Sequence, residues 1–563
     1  GKYATEHDDE SVREAIGKYG LEHPVVNDPD FAVWNLYGAN AWPTLVLIDP
    51  AGNLVGGHAG EGVYPLFQPI VTSLVQEFDA KGQISRTPLP VNLEATSTSA
   101  VLAYPAKVLA DEAGNRLFIA DSGHNRILVA DLDGRLQQAI GTGEAGFADG
   151  AAGEATFREP QGLALSDDGK TLFVADTRNH AVRAVDLPAG TVRTIAGTGK
   201  QLDRLPADNS PAREVAMASP WDVLARGNEL YISMAGVHQI WRMELGTGII
   251  SVYAGTSREG IQDGPRRMLA TLAQPSGLAT DGVYLYWVDP ESSSVRRVPL
   301  DGPEDAQVET LVGTGLFDYG DVDATGKQAK LQHAQGLAYG NGMLFVGDTY
   351  NHKVRAIDSG TLAVTTLAGT GDRGWDDGAP SMARFDEPGG LSVAGNRLYV
   401  ADTNNHLIRV ISLSDGTVST LLLSNLGVAT ATAPGRMLRI EAPQQQVAPG
   451  AAQLSITVAA PAGYHLNSAA PSRLTLTTSN GQVVELGEQE LSWSSDDAEV
   501  HLPVPVQLGE GEATISGQAS AYYCRSGEEA LCFVQQVEVS LPVVVASGAT
   551  GQPELRIDLP QVP

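Results

Sequence analysis

Apolar residues in the middle of this chain fall into short runs, and the runs return at a nearly fixed distance. Between residues 100 and 425 each run is rich in Val, Ile, Leu or Phe and is bounded by Gly, Asn, Asp or Pro. One unit predicts four strands, at 162–165, 171–175, 181–186 and 192–196. No segment of the unit carries a sustained helical period. The segment Val174-Ala175-Asp176-Thr177-Arg178-Asn179-His180 returns as Val346-Gly347-Asp348-Thr349-Tyr350-Asn351-His352 and as Val400-Ala401-Asp402-Thr403-Asn404-Asn405-His406. Looser copies centre on Asp121, Met234 and Asp289, and the six copies are 55, 58, 55, 59 and 54 residues apart. Such a period signals a repeat architecture. A lone four-stranded sheet buries too little surface, whereas a ring of them shields faces and edges alike. Six units predict a six-bladed β-propeller over 105–425.

The flanks have other patterns. In residues 1–85 the order is helix (9–20), strand (23–26), helix (31–37), apolar strand (44–49), strand (54–58) and helix (62–78). A polar linker with Pro88 and Pro90 covers 86–104. From 432 to 550 apolar and polar residues alternate, as in Gln453-Leu454-Ser455-Ile456-Thr457-Val458, which predicts a β-sandwich. Residues 551–563 read as a tail. The fold class is therefore mainly β.

The repeated motif resembles the NHL repeat. Met234 and Pro290-Glu291-Ser292 depart from its consensus, which makes blades three and four the atypical ones. Residues 1–85, with Trp42-Pro43-Thr44 ahead of the apolar strand, resemble the C-terminal two-thirds of a thioredoxin-like domain. That resemblance implies a cis Pro43 and a substrate edge at Trp42, Pro43 and Thr44. His23-Pro24-Val25-Val26-Asn27-Asp28, Trp42-Pro43-Thr44 and Gly60-Glu61-Gly62, followed by the repeats, together resemble the NHL-repeat-containing protein type 2 family. Its members join a thioredoxin-like domain, a six-bladed propeller and a C-terminal β domain. The first strand, the Cys-x-x-Cys turn and the first helix have no counterpart here, so a trimmed or degenerate module is expected. No cysteine occurs in residues 1–523, which leaves that site without a thiol nucleophile.

Composition narrows the function. The net charge of −30 sets the chain against phosphate backbones and anionic lipid, so no nucleic acid is expected as partner. No run of 18 apolar residues exists, so no membrane span is expected. Two cysteines exclude a disulfide-rich scaffold. A cytoplasmic address is favoured over a periplasmic one. Cys524 and Cys532 flank a hairpin loop similar to the N-terminal domain of bacterial thiol:disulfide interchange proteins. A structural disulfide, reduced thiols and an exchanging redox pair all remain open there.

One propeller face should collect Asp121, Asp176, His180, His238, Asp289, Asp348, His352, Asp402 and His406, together with the long connectors 146–150, 260–264 and 374–378. A residue repeated in every blade suits the fold better than a site, since function needs one copy. Asp176 is expected to accept N–H groups of its own loop, Asn179 to take a left-handed backbone, and His180 to bridge blades. The unequal positions Trp221, Met234, His238, Trp241 and Trp287 are candidates for specificity. Phe147, Phe317, Tyr319 and Trp375 are expected to be exposed on the connectors. The leading reading is a protein-interaction scaffold with a protein or peptide on this face and no cofactor. Thiol–disulfide exchange in a longer parent protein is the alternative, and a metal-dependent lyase or hydrolase is a third class.

Overall fold

The computed structural model describes residues 2–21, 23–60, 63–86, 101–425, 438–467, 472–525 and 532–559. The chain divides into two compact units, Gly1–Thr96 and Ser97–Pro563. Of the expected linker, 86–104, residues 87–100 lie outside the described residues, as do Glu61, Gly62 and residues 526–531.

In the first unit, helices span Asp9–Tyr19, Ala32–Leu36 and Tyr64–Ala80. Asp8 caps the first by accepting the Ser11 N–H at 2.9 Å, and Gly20 ends it at φ 57°. Strands Thr44–Ile48 and Leu54–Ala59 pair antiparallel, and the Trp42–Pro43 peptide is cis. The strand expected at 23–26 does not form. Its apolar residues have no neighbouring strand among the described residues, and a strand without a ladder partner is not stable. Asn27 instead donates to the His7 carbonyl at 2.9 Å and to the Asp9 carboxylate at 2.7 Å. Apolar side chains lie open across this unit, with Leu36, Val26, Tyr64 and Leu54 each more than two-thirds exposed.

Residues 105–420 form six sheets, each with four strands in up-and-down order, and in three of them a two-residue connector strand (Gly150–Ala151, Ser210–Pro211 or Gly264–Pro265) adds a fifth at the outer edge. Blade 2 has strands Pro160–Leu165, Thr171–Asp176, Ala181–Asp186 and Thr191–Ala196, within two residues of the sequence expectation. The innermost strands begin near Pro105, Pro160, Pro220, Leu278, Gly336 and Pro388, and each touches the next, with the sixth touching the first. The result is a closed six-bladed propeller. Each of its six apolar cores lies between two blades. One core joins Val108, Leu117 and Leu128 of blade 1 to Tyr399, Ala401 and Ile408 of blade 6, which closes the ring without exchange of a full strand. Segment 421–425 adds a short edge there, where the Leu136 N–H donates to the Ser424 carbonyl at 2.9 Å.

The axis shows why the blades can crowd. The residue two places after Pro105, Pro160, Pro220, Pro275, Ala334 and Pro388 is Lys107, Gly162, Asp222, Gly277, Gly336 and Gly390. A Cβ on Gly162 would strike the Asp222 backbone, and one on Gly336 would strike the Gly389 carbonyl oxygen. On Gly277 it would lie 2.7 Å from the Leu337 nitrogen, and on Gly390 2.8 Å from the Lys107 Cα. Four glycines therefore let neighbouring inner strands touch backbone to backbone.

The C-terminal strands form a seven-stranded and a four-stranded sheet. Leu454, Ile456 and Val504 from one sheet and Leu474, Leu476 and Ile515 from the other share one core, as the alternation predicts.

Gly336→Ala should destabilise the chain by about 3 kcal/mol in urea unfolding, because backbone must move. Gly153→Ala, which meets open space, should stay within about 0.5 kcal/mol.

Candidate functional site

The repeated aspartates end the second strand of their blades, and their side chains point inward. Asp121, Asp176, Asp289, Asp348 and Asp402 are fully buried. Asp176 accepts the Arg158 N–H at 2.8 Å, the Asn179 amide at 2.8 Å and the Arg183 guanidinium at 2.8 Å. Asp402 holds the Asp386 N–H, Asn405 and Arg409 in the same way, and Asp348 holds the Gln332 N–H, Asn351 and Arg355. The backbone N–H comes from the connector, the amide from the asparagine side chain of the aspartate's own turn, and the guanidinium from the third strand. Of its own loop Asp176 thus serves the Asn179 amide, while the backbone N–H it accepts is that of Arg158 in the connector, which corrects the expected turn geometry. Asn179 does not take the left-handed backbone either: its neighbour His180 does, at φ 48°, while Asn179 sits in a 3-10 turn and donates to the Gly146 carbonyl at 2.6 Å.

The arginine seven residues after the aspartate also holds the long connector. Arg183 binds Asp149 at 2.8 Å, Arg296 binds Asp263 at 3.1 Å, and Arg409 binds Asp377 at 2.6 Å. Thr194, Thr310 and Thr420 donate to the same connector carboxylates. Two carboxylates with one guanidinium between them thus pin each of these connectors to its blade. Burial pushes Asp176, Asp348 and Asp402 up to about 6, against the pull of Asn179 and Arg183, of Arg355, and of Arg409 respectively. Burial opposes ionisation of Asp121 too, but His124 and Arg126 outweigh it and hold that carboxyl below its usual range.

Blade 3 has neither member of the pair. Met234 stands where the aspartate would be and Trp241 where the arginine would be, and both are buried. The Trp241 indole donates to Gln239 at 2.8 Å. Removing both charges together leaves no uncompensated ion, and that exchange is tolerated where loss of one partner is not. In blade 4 the buried Trp287 indole donates to Asp289 at 3.0 Å. Met234, Trp241 and Trp287 are packed in the blades, so their candidacy for specificity falls on burial. Trp221 and His238 are half-buried.

A second device joins blade to blade. The left-handed residue after each turn accepts an N–H from the next blade. Asn125 accepts from Glu159, His180 from Ser219, His238 from Gln274, Ser293 from His333, His352 from Glu387 and His406 from Tyr104, at 3.0–3.2 Å. The contact runs through all six interfaces, including the sixth to the first. The blade-bridging expectation for His180 agrees with this geometry. At four interfaces the hydroxyl that follows the second strand reinforces it: Ser122, Thr177, Thr349 and Thr403 donate to the carbonyls of Pro160, Pro220, Pro388 and Pro105.

Sequence reasoning missed the group on the axis. The Lys107 ammonium of blade 1 reaches both carboxylate oxygens of Asp222 in blade 3, at 2.6 and 2.5 Å. The Val223 and Leu278 N–H groups complete the carboxylate, the latter from blade 4. Both side chains are nearly buried. Burial pushes Asp222 up, against Lys107. The two departures from glycine at this position carry opposite charge, and aligning the six inner strands would have exposed them.

On the connectors, Phe317 is 70% and Phe147 39% exposed, and Phe147 lies over the Arg183 guanidinium at 5.1 Å. Tyr319 and Trp375 are half-buried rather than exposed. Among the described residues no group of three or more His, Cys, Asp and Glu side chains is placed to hold a metal ion. No described helix is long and apolar enough to cross a membrane.

Away from the propeller, Trp42 is half-exposed and packs on Trp34 at 4.6 Å and Phe31 at 6.4 Å between ring centroids. Thr44 donates to the Ala41 carbonyl at 2.6 Å, and the Pro43 carbonyl accepts the Gly60 N–H at 2.8 Å. Cys524 is buried and disulfide-bonded, and the strand register sets it opposite Cys532, the other cysteine of the chain.

The NHL repeat family model matches residues 157–184 and 385–411. The Arabidopsis thaliana protein SUPPRESSOR OF QUENCHING 1, chloroplastic, is 34% identical over 588 residues, covering 100% of this chain and 55% of that protein. The chain thus spans about half the length of this relative. Human NHL repeat-containing protein 2 is 33% identical over 602 residues, covering 98% of this chain and 82% of that protein. A solved Bacteroides thetaiotaomicron protein of unknown function aligns over 55% of this chain and 69% of its own, at 16% identity and a TM-score of 0.42.

Lys107→Met should cost about 3–5 kcal/mol in chemical unfolding, because it strands the Asp222 carboxylate. The loss should shrink on acidification, since a carboxyl with a raised pKa destabilises only once it ionises as pH rises.

Proposed function

This chain belongs to the NHL repeat-containing protein 2 family, and we propose that it acts as a protein-interaction scaffold whose partner lies on the connector face of the propeller. Propellers built from NHL repeats generally mediate protein interaction. The observation that carries the reading is the use to which the repeated polar groups are put. The aspartates, arginines and histidines of the face are consumed by contacts within and between blades, and Lys107 and Asp222 satisfy one another on the axis. What remains for a partner is the connector rim, where Phe317 presents an aromatic anchor of the kind that dominates interface energetics.

The second reading is thiol–disulfide exchange in a longer parent protein, built on a thioredoxin-like module in residues 1–85. The half-exposed Trp42 beside the cis Pro43, on a unit with much open apolar surface, favours it. A thiolate supplied from outside the described residues would attack a substrate disulfide there through a mixed disulfide. The Cys524 disulfide would then be either a clamp of its hairpin or a second exchanging pair.

Crosslinking of the full chain in extract from its source, followed by mass spectrometry, tests the scaffold. The expected outcome is one protein crosslinked to the connectors and recovered at least about tenfold less with Phe317→Asp, roughly 1.4 kcal/mol of binding. Equal recovery with the variant, or no connector crosslink, would count against it.

A further inference from the structure

The six contacts that join blade to blade share one requirement. An imidazole nitrogen that accepts an N–H must carry no proton. His180, His238, His352 and His406 each accept through Nδ1. Each is therefore the neutral, Nε2-protonated tautomer. Protonation would set an N–H against an N–H at the blade interface, so the ring would have to swing away. The other two interfaces use the Asn125 carbonyl and the Ser293 hydroxyl, which do not titrate in this range.

We propose that the propeller carries a built-in acid-sensitive seam, in which protonation of His180 and His352 releases their two blade-to-blade contacts while the contacts at Asn125 and Ser293 persist. The surroundings support it at the two most clearly framed sites. Burial, then Arg178 and Arg158, hold His180 below its ordinary value, and Glu159, in the connector of the same blade, is engaged by Arg178 at 3.0 Å. Burial also lowers His352 and outweighs the facing carboxylates Asp386, at 3.6 Å, Glu387 and Asp372, while Arg373 adds to the lowering. Gln274 of blade 4 meets His238, and the Tyr104 ring packs edge-on against His406 at 4.5 Å.

The direction follows from linkage. A base whose folded pKa lies below its unfolded value stabilises the fold above the unfolded pKa, about 6.5 for histidine. That stability is lost as pH falls below about 6.5 toward the folded pKa.

The test replaces His180 and His352 by Asn, the residue that blade 1 already uses and one that tolerates a left-handed backbone. Unfolding midpoints of the full chain are followed from pH 7.5 to pH 5. The wild type should lose about 2–4 °C more per replaced contact than the His180→Asn/His352→Asn variant over that range. Equal pH dependence of the two proteins would overturn the proposal. If the double variant does not fold, selective 15N-histidine NMR of the wild type decides. Imidazoles unprotonated at Nδ1 and titrating below 6.5 support the seam. Doubly protonated His180 and His352 rings at pH 7, or neither ring with an Nδ1 acceptor signature, would overturn it.

Discussion

The structure depends on how closely six inner strands approach one axis. At Gly162, Gly277, Gly336 and Gly390 there is no room for a Cβ, so neighbouring backbones meet directly. That spacing lets each blade bury its apolar face against the next, and the cores of the propeller all lie between blades. Where the glycine is replaced, the side chain has to go somewhere. Lys107 and Asp222 meet each other past the gap that Gly162 leaves. The ion pair ties blade 1 to blade 3, and through the Leu278 N–H to blade 4. It occupies the axis with a contact that is satisfied from within the chain.

The second constraint is electrostatic. A carboxylate with no exposed surface is costly unless it is paired and hydrogen-bonded. In blades 2, 5 and 6 one arginine and one asparagine meet that cost. The arginine then has spare donors, which catch the connector aspartate. A motif that looks like a binding loop along the chain is thus the bolt that fixes a connector. Blade 3 supports the same account by its exception, since Met234 and Trp241 abandon the pair together.

Much of the fold was legible because repeats state their own period. Five spacings near 56 residues required six like units, and apolar runs bounded by Gly, Asn, Asp or Pro placed the strands of blade 2 within two residues. Residues 23–26 misled because local apolar content says nothing about whether a neighbouring strand exists. The direction of the repeated side chains was not legible. Strand period places a residue on a face of its own sheet and cannot say that Asp176 turns into the blade. Arg183, Arg355 and Arg409 stood in the repeated stretch at a constant distance from the aspartate, a signal that spacing alone carries. Lys107 and Asp222 are 115 residues apart and needed the ring to bring them together.

The central claim is that the repeated Asp–Arg pair is part of the fold and not of a binding site. The most direct measurement is a double-mutant cycle on Asp176 and Arg183 in the full chain, read by urea unfolding. The account predicts that Arg183→Met alone costs about 3–5 kcal/mol and that adding Asp176→Leu restores much of it. Single variants that keep wild-type stability would contradict the account and return these residues to the list of candidate ligand-binding groups.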